Sequence, residues 1–216
     1  VDSVINDINK YFLYKKYSNK IIVIKSTIPP GKSRKLSLKY ENIDIVFNPE
    51  FLTESNYLDD FKNQNRIILG GSNFSTNEVE NIYKQILPDV KIIKTSFENA
   101  EMVKYFINTF LSTKVAFANE IYEVCKKLDL DYNEILEFSL YDKRLGKSHF
   151  NVPGPDGKRG FGGSCFPKDI NAMIYFVKSI GLNPEILNSV WDSNIKHRSD
   201  YKYEKLTSKN SKKENK

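Results

Sequence analysis

The chain has 216 residues, 40% of them hydrophobic and 13% aromatic, with a net charge of +6. That is enough apolar material for one sizeable core, or for one domain and part of another, and it excludes a disordered chain. No apolar run approaches the roughly 18 residues of a membrane span, two cysteines are too few for a disulfide framework, and the opening VDSVINDINKYF lacks a signal peptide's apolar block.

These features lead us to expect a reducing, cytoplasmic setting and no membrane partner. The basic charge gathers at the end of the chain. Residues 198–216 hold seven Lys/Arg against three Asp/Glu, leaving only +2 for the rest. We expect this segment to be a basic, disordered tail. No aromatic or Arg-rich pattern accompanies its lysines, so no nucleic-acid partner is expected.

The first hundred residues alternate. Val4 to Tyr14 has helical spacing, with Val4, Ile5, Ile8 and Phe12 on one face. KIIVIKST, from Lys20 to Thr27, is a continuous apolar run suited to a strand buried on both faces of a parallel sheet. A Pro/Gly turn and a helix follow, then strands at Ile43–Phe47 and Arg66–Leu69. STNEVENIYKQIL is an amphipathic helix with Ser75 or Thr76 as its cap, and Val90–Lys94 is a fourth strand. Such alternation predicts a doubly wound α/β unit. A nucleotide-binding unit of this kind opens with a strand and a G-x-G-x-x-G turn. None is present, so the unit is expected to be the second half of such a domain.

From Glu98 to Leu128 there is neither Gly nor Pro, and the apolar period is near 3.6. This predicts one long helix that crosses between domains or forms a dimer spine. Asp131–Leu140 follows as a second helix capped by Asp131. Two more helices come after a glycine-rich loop.

That loop, GPDGKRGFGGSCFPKD, holds five of the chain's ten glycines and then Cys165. Pro167 suits a first helical position, which sets Cys165 just outside a helix start, where the macrodipole favours negative charge. Lys168 adds a cation, and Asp169 is in reach as a base or water-orienting group. The competing reading is a buried structural cysteine, which is how Cys125 reads in the long helix. FNPEFLTES places Glu50 and Glu54 four apart after a strand end, as an acid/base pair, as cofactor contacts or as a capped surface turn. Ser26 and Thr27 end the first strand. Lys104 and Asn108 lie four apart on a mostly apolar helix face, where a lysine either snorkels or is held for a purpose. His149 and His197 have no metal-like partners, so no metal is expected.

Six motifs, in order, resemble the nucleotide-sugar 6-dehydrogenases. They are VIKSTIPPG, FNPEFLTES, RIILGG, ENAEMVKYFINTFLSTKVAFANEI, DKRLG and GFGGSCFPKD, between Val23 and Asp169. The resemblance implies an α/β fold. Residues 1–96 would be the C-terminal part of a Rossmann-like NAD-binding domain with a partial parallel sheet, and 97–197 a mainly α-helical central domain with a long spine helix. The remainder, 198–216, is the tail. The implied reaction is a two-step, four-electron oxidation of a sugar C6 alcohol to a carboxylate with NAD, acting on a UDP-sugar, with UDP-glucose ahead of GDP-mannose. Cys165 would be the nucleophile, Lys104 would stabilise the oxyanion and Asn108 would orient the sugar. Asp169 and Thr27 would hold water or move a proton, and Glu50 would assist hydrolysis. Ser26, Thr27, Glu54 and Lys168 would lie near NAD. Phe51, Leu52, Arg144, Phe161, Gly162 and Gly163 would join Lys104 and Asn108 at the substrate. The helix over 98–128 would make a homodimer. Because the flanking segments of such an enzyme are missing, the chain is expected to be a fragment with little activity alone. A non-catalytic dimerisation module is the remaining alternative.

Overall fold

A computed structural model describes residues 1–17, 20–52 and 56–198. The chain forms two compact units that divide between Phe106 and Ile107.

The first unit begins with α1 (Asp2–Lys15) and β1 (Lys20–Ile24). It continues through α2 (Lys32–Lys39), β2 (Ile43–Phe47), the short α3 (Tyr57–Lys62) and β3 (Arg66–Gly71). It ends with α4 (Asn73–Ile86), β4 (Lys91–Thr95) and the start of α5 (Phe97–Lys127). The strands form one sheet in the order β1-β2-β3-β4. Alternation along the strands gives the sheet its two cores. Ile43, Ile45 and Phe47 of β2 and Ile68 of β3 join Leu36 of α2 and Ala100 of α5 on one face. Val46, Ile67 and Leu69 pack with Val79 of α4 on the other.

Two expectations need correcting. β1 and β2 run parallel, as do β3 and β4, but β2 and β3 are antiparallel, paired only at Val46↔Gly71 and Phe47↔Gly70. An apolar pattern marks a strand's faces and not its direction, so the sequence carries no sign of this reversal. Nor is β1 buried on both faces. It lies at the sheet edge, and of its five residues only Ile24 is buried. Smaller differences concern helix ends. The α4 cap is Ser72, whose Oγ accepts from the Ser75 amide, while Ser75 and Thr76 lie buried inside the first turn. The short α3 was not expected.

In the second unit α5 continues, a 31-residue helix in all. It is followed by α6 (Tyr132–Ser139), α7 (Phe166–Ser179) and α8 (Glu185–His197). Asp131 caps α6, accepting from the Asn133 amide at 2.8 Å. Ala116, Phe161, Ile170, Val190 and Trp191 form one core cluster. A second cluster gathers Cys125, Tyr132, Phe150 and Val152. Arg198, assigned above to the tail, is 4% exposed and belongs to this unit. The rest of the tail lies outside the described residues. Among the described residues no helix is long and apolar enough to cross a membrane.

Candidate active site

The parallel pairing of β1 and β2 brings their carboxyl ends to one edge of the first unit. Ligands bind at such edges in open α/β sheets. The Asn48 amide extends the ladder by donating to the Ile24 carbonyl at 2.8 Å. The Asn48 side chain is locked from both sides: its Nδ2 donates to the Ile68 carbonyl at 3.0 Å, and its Oδ1 accepts from the Tyr83 hydroxyl at 2.5 Å. That rigid floor precedes Glu50. The Glu50 carboxylate pairs with Lys25 Nζ at 2.8 Å, and its backbone carbonyl accepts from Lys104 Nζ. Lys104 also lies over the Phe51 ring, 5.3 Å from its centroid. Burial works against the charge on Lys25, but its bonds to Glu50 and Tyr83 outweigh that and raise its pKa. Ser26 is exposed, while Thr27, Phe51 and Leu52 are half-buried at the same edge. Glu54 lies outside the described residues.

The loop after β1 is held by a residue that sequence reasoning missed. Glu101, one turn before Lys104 on α5, has no exposed surface. Its carboxylate accepts from the Gly31 amide at 2.5 Å and the Ser33 amide at 2.8 Å, capping α2 from 70 and 68 residues away. Burial raises its pKa, against the effect of those donors. Gly31 needs its left-handed φ of 83° to turn the chain into α2.

In the second unit Cys165 is an exposed free thiol at the N-cap of α7. Pro167 is one residue deeper in the helix than expected, after Phe166. In that first turn the Asp169 amide donates to the Cys165 carbonyl at 2.8 Å. The Asp169 carboxylate is buried, and its Oδ2 accepts from Asn108 Nδ2 at 2.6 Å. Its Oδ1 has no hydrogen bond among the described residues, although Lys168 Nζ approaches to 3.3 Å as an ion pair. A buried carboxylate oxygen without a donor is a place for a water or a substrate hydroxyl. Cys125 is buried in the core.

The loop before Cys165 is cast by side chains. Gly160 N donates to Asn119 Oδ1 at 3.1 Å, and Arg198 Nε donates to the Arg159 carbonyl at 2.8 Å. Phe161 N donates to Asn194 Oδ1 at 2.7 Å, while Asn194 Nδ2 returns a bond to the Phe161 carbonyl at 3.1 Å. The Phe161 ring is in the core, Gly162 is half-buried and Gly163 is exposed. Arg144 lies beside a largely apolar groove of about 500 Å³ that Phe110, Phe117, Leu136 and Phe150 also line, and its guanidinium pairs with Asp142. The structure thus brings Glu50, Lys104 and Phe51 together in one unit, and Asn108, Asp169, Lys168 and Cys165 in the other. Among the described residues no group of three His, Cys, Asp or Glu side chains could hold a metal.

Comparisons with known proteins match most of the chain's length. The model of the UDP-glucose/GDP-mannose dehydrogenase family's NAD binding domain matches residues 1–87, and that of its central domain matches residues 98–196. UDP-glucose 6-dehydrogenase of Rickettsia typhi is 37% identical over 200 residues, covering 90% of this chain and 43% of that protein. A UDP-glucose 6-dehydrogenase of Bacillus subtilis is 34% identical over 187 residues, 83% of this chain and 39% of its own. The solved UDP-glucose dehydrogenase of Pyrobaculum islandicum superposes with a TM-score of 0.73 at 36% identity, over 81% of this chain and 40% of that one. The GDP-mannose dehydrogenase of Pseudomonas aeruginosa gives 0.56 at 27% identity, over 89% and 47%. The chain therefore spans less than half the length of these relatives.

Proposed function

The chain belongs to the UDP-glucose/GDP-mannose dehydrogenase family, and from that premise we propose that it is the nucleophile-bearing part of an NAD-dependent UDP-glucose 6-dehydrogenase, which makes UDP-glucuronate. One observation carries the reading. An exposed thiol heads α7, and one turn in from it a buried Asp169 accepts from Asn108 through one carboxylate oxygen, while the other, ion-paired with Lys168 at 3.3 Å, makes no hydrogen bond among the described residues. In this reading residues 1–96 are part of the cofactor domain and 97–197 the central domain.

Only part of NAD fits the residues present. Ser26 and Thr27 sit at the strand edge where such a cofactor lies, and Glu54 and Lys168 are assigned to its neighbourhood. The helix start after β1 has its amides capped by Glu101, so it is not open to a pyrophosphate. When bound, NAD supplies the hydride acceptor for each of the two oxidations.

The chain's own residues do the rest. The Cys165 sulfur adds to the C6 aldehyde carbon, giving a thiohemiacetal, and stays bonded to that carbon as a thioester after the second oxidation. Lys104 offers its ammonium to the oxygen that gains negative charge. Asp169 and Thr27 hold the water that attacks the thioester carbonyl; the sulfur leaves and C6 becomes the carboxylate. Glu50, ion-paired with Lys25, takes the proton from that water. Asn108 orients the sugar. Phe51, Leu52 and the Gly162–Gly163 backbone, anchored through Phe161, line the sugar nucleotide.

The partner is a second copy of the chain, joined through α5. Phe106, Phe110, Phe117 and Val124 form an exposed apolar stripe along that helix, and Arg144 reaches substrate across the pair. UDP-glucose is favoured over GDP-mannose by the higher identity and TM-score of the UDP-glucose enzyme. Retention of Cys165, Lys104, Asn108, Asp169 and Glu50 speaks against a purely structural module.

The test is a chimera with the chain in place of the matching span of the Rickettsia typhi enzyme. It should reduce NAD with UDP-glucose in preference to GDP-mannose, and Cys165→Ser should lower uronate formation by about a thousandfold. Undiminished uronate formation by Cys165→Ser rules the mechanism out.

A further inference from the structure

The segment Arg159–Phe161 has no helix or strand to satisfy its backbone, yet it is buried at Gly160 and Phe161. Buried peptide groups need partners, and three side chains supply them. Asn119 of α5 takes the Gly160 N–H, Arg198 takes the Arg159 carbonyl and reaches the Gly160 carbonyl at 3.4 Å, and Asn194 of α8 takes both the N–H and the carbonyl of Phe161. Five successive backbone groups are thus held by Asn119 of α5, Asn194 of α8 and Arg198 at the end of α8, in the way a neighbouring strand would hold them.

Two glycines are there because of this cast. A Cβ on Gly160 would stand 2.5 Å from Asn194 Oδ1, and one on Gly162 would stand 2.3 Å from Arg198 Nη1. The clamped residue also leads to the thiol. The Phe161 ring meets Phe166, the residue after Cys165, edge-on at 6.3 Å, and Trp191 at 6.4 Å. Asn194 and Arg198 are themselves 1% and 4% exposed, and Arg198 is fixed further by Asp156 at 2.5 Å.

We propose that Asn194, with Asn119 and Arg198, is a positioning residue for Cys165: its amide fixes Phe161, and Phe161 fixes the turn that presents the thiol at the head of α7. The assignment deepens the reading of Cys165 as nucleophile and rests on it. None of the three residues touches the sulfur. Their part is to keep the thiol-bearing turn in one place before substrate arrives, so that no binding energy is needed to order it.

The experiment uses the 216-residue chain. A methanethiosulfonate nitroxide is attached to the exposed Cys165, and mass spectrometry checks that buried Cys125 stays unlabelled. The electron paramagnetic resonance line shape then reads the mobility of the turn itself. In Asn194→Ala the rotational correlation time should shorten by about threefold or more. Val190→Ala removes packing from the same apolar cluster without touching the clamp, and should leave the line shape as in the wild type. If Asn194→Ala fails to fold, Asn194→Asp keeps an acceptor for the Phe161 N–H and loses the donor to its carbonyl, and should give an intermediate mobility. An unchanged line shape in the folded Asn194 variant, or an equal change in Val190→Ala, overturns the assignment. No substrate enters this measurement, so its failure is separate from failure of the Cys165→Ser chimera.

Discussion

Glu101 sets a carboxylate with no exposed surface against two amides of α2. Because burial raises its pKa above 4.5, the folded chain holds that proton more tightly than the unfolded chain. The stability this contributes is complete below 4.5 and is lost as pH rises through the raised value. Glu101→Gln cannot titrate, so its unfolding free energy should vary less with pH across this window, as denaturant melts at several pH values will read. At neutral pH the variant turns an amide NH₂ toward one of the two donors and should lose about 1–3 kcal/mol. The sequence singles out Cys165, Asn108 and Asp169 as candidates because each belongs to a recognisable run. It did not show Glu101, Asn119, Asn194 or Arg198. Each acts on a backbone group more than 30 residues away, and nothing in the local spacing marks such a pair.

At the scale of elements, α5 was the easiest to read, since its apolar period runs 31 residues without a breaker. Its exposed stripe makes a direct prediction. If the stripe is the dimer spine, Phe110→Asp combined with Phe117→Asp should halve the mass in sedimentation equilibrium while helicity is kept. A dimer that survives both changes sinks the spine. The strands were visible as apolar runs, but their order and direction were not, because pairing is decided by partners that a run does not name. The β3 end shows the cost of one such meeting. A Cβ on Gly70 would come within 2.8 Å of Ala100 Cβ and 2.9 Å of the Ser96 carbonyl. Gly70→Ala should therefore push the first turn of α5 off the sheet and destabilise the chain by about 1–3 kcal/mol in urea melts.

For the whole molecule, the sequence shows no G-x-G-x-x-G turn and the structure shows a capped α2. Isothermal titration of the 216-residue chain with NAD should accordingly give at most weak, millimolar-range binding. Micromolar affinity would mean that these residues hold the phosphates in some other way. The family was legible because six motifs keep their order along the chain. The internal scaffold of the second unit was not, since it is made of tertiary hydrogen bonds. That scaffold also bears on how the molecule comes into being. The clamp on Arg159–Phe161 closes across separations of 33 to 41 residues, and contacts of that span form only after the chain between them has collapsed. The turn beneath Cys165 is therefore not ordered by its own segment: its geometry depends on α5 and α8 already standing beside it.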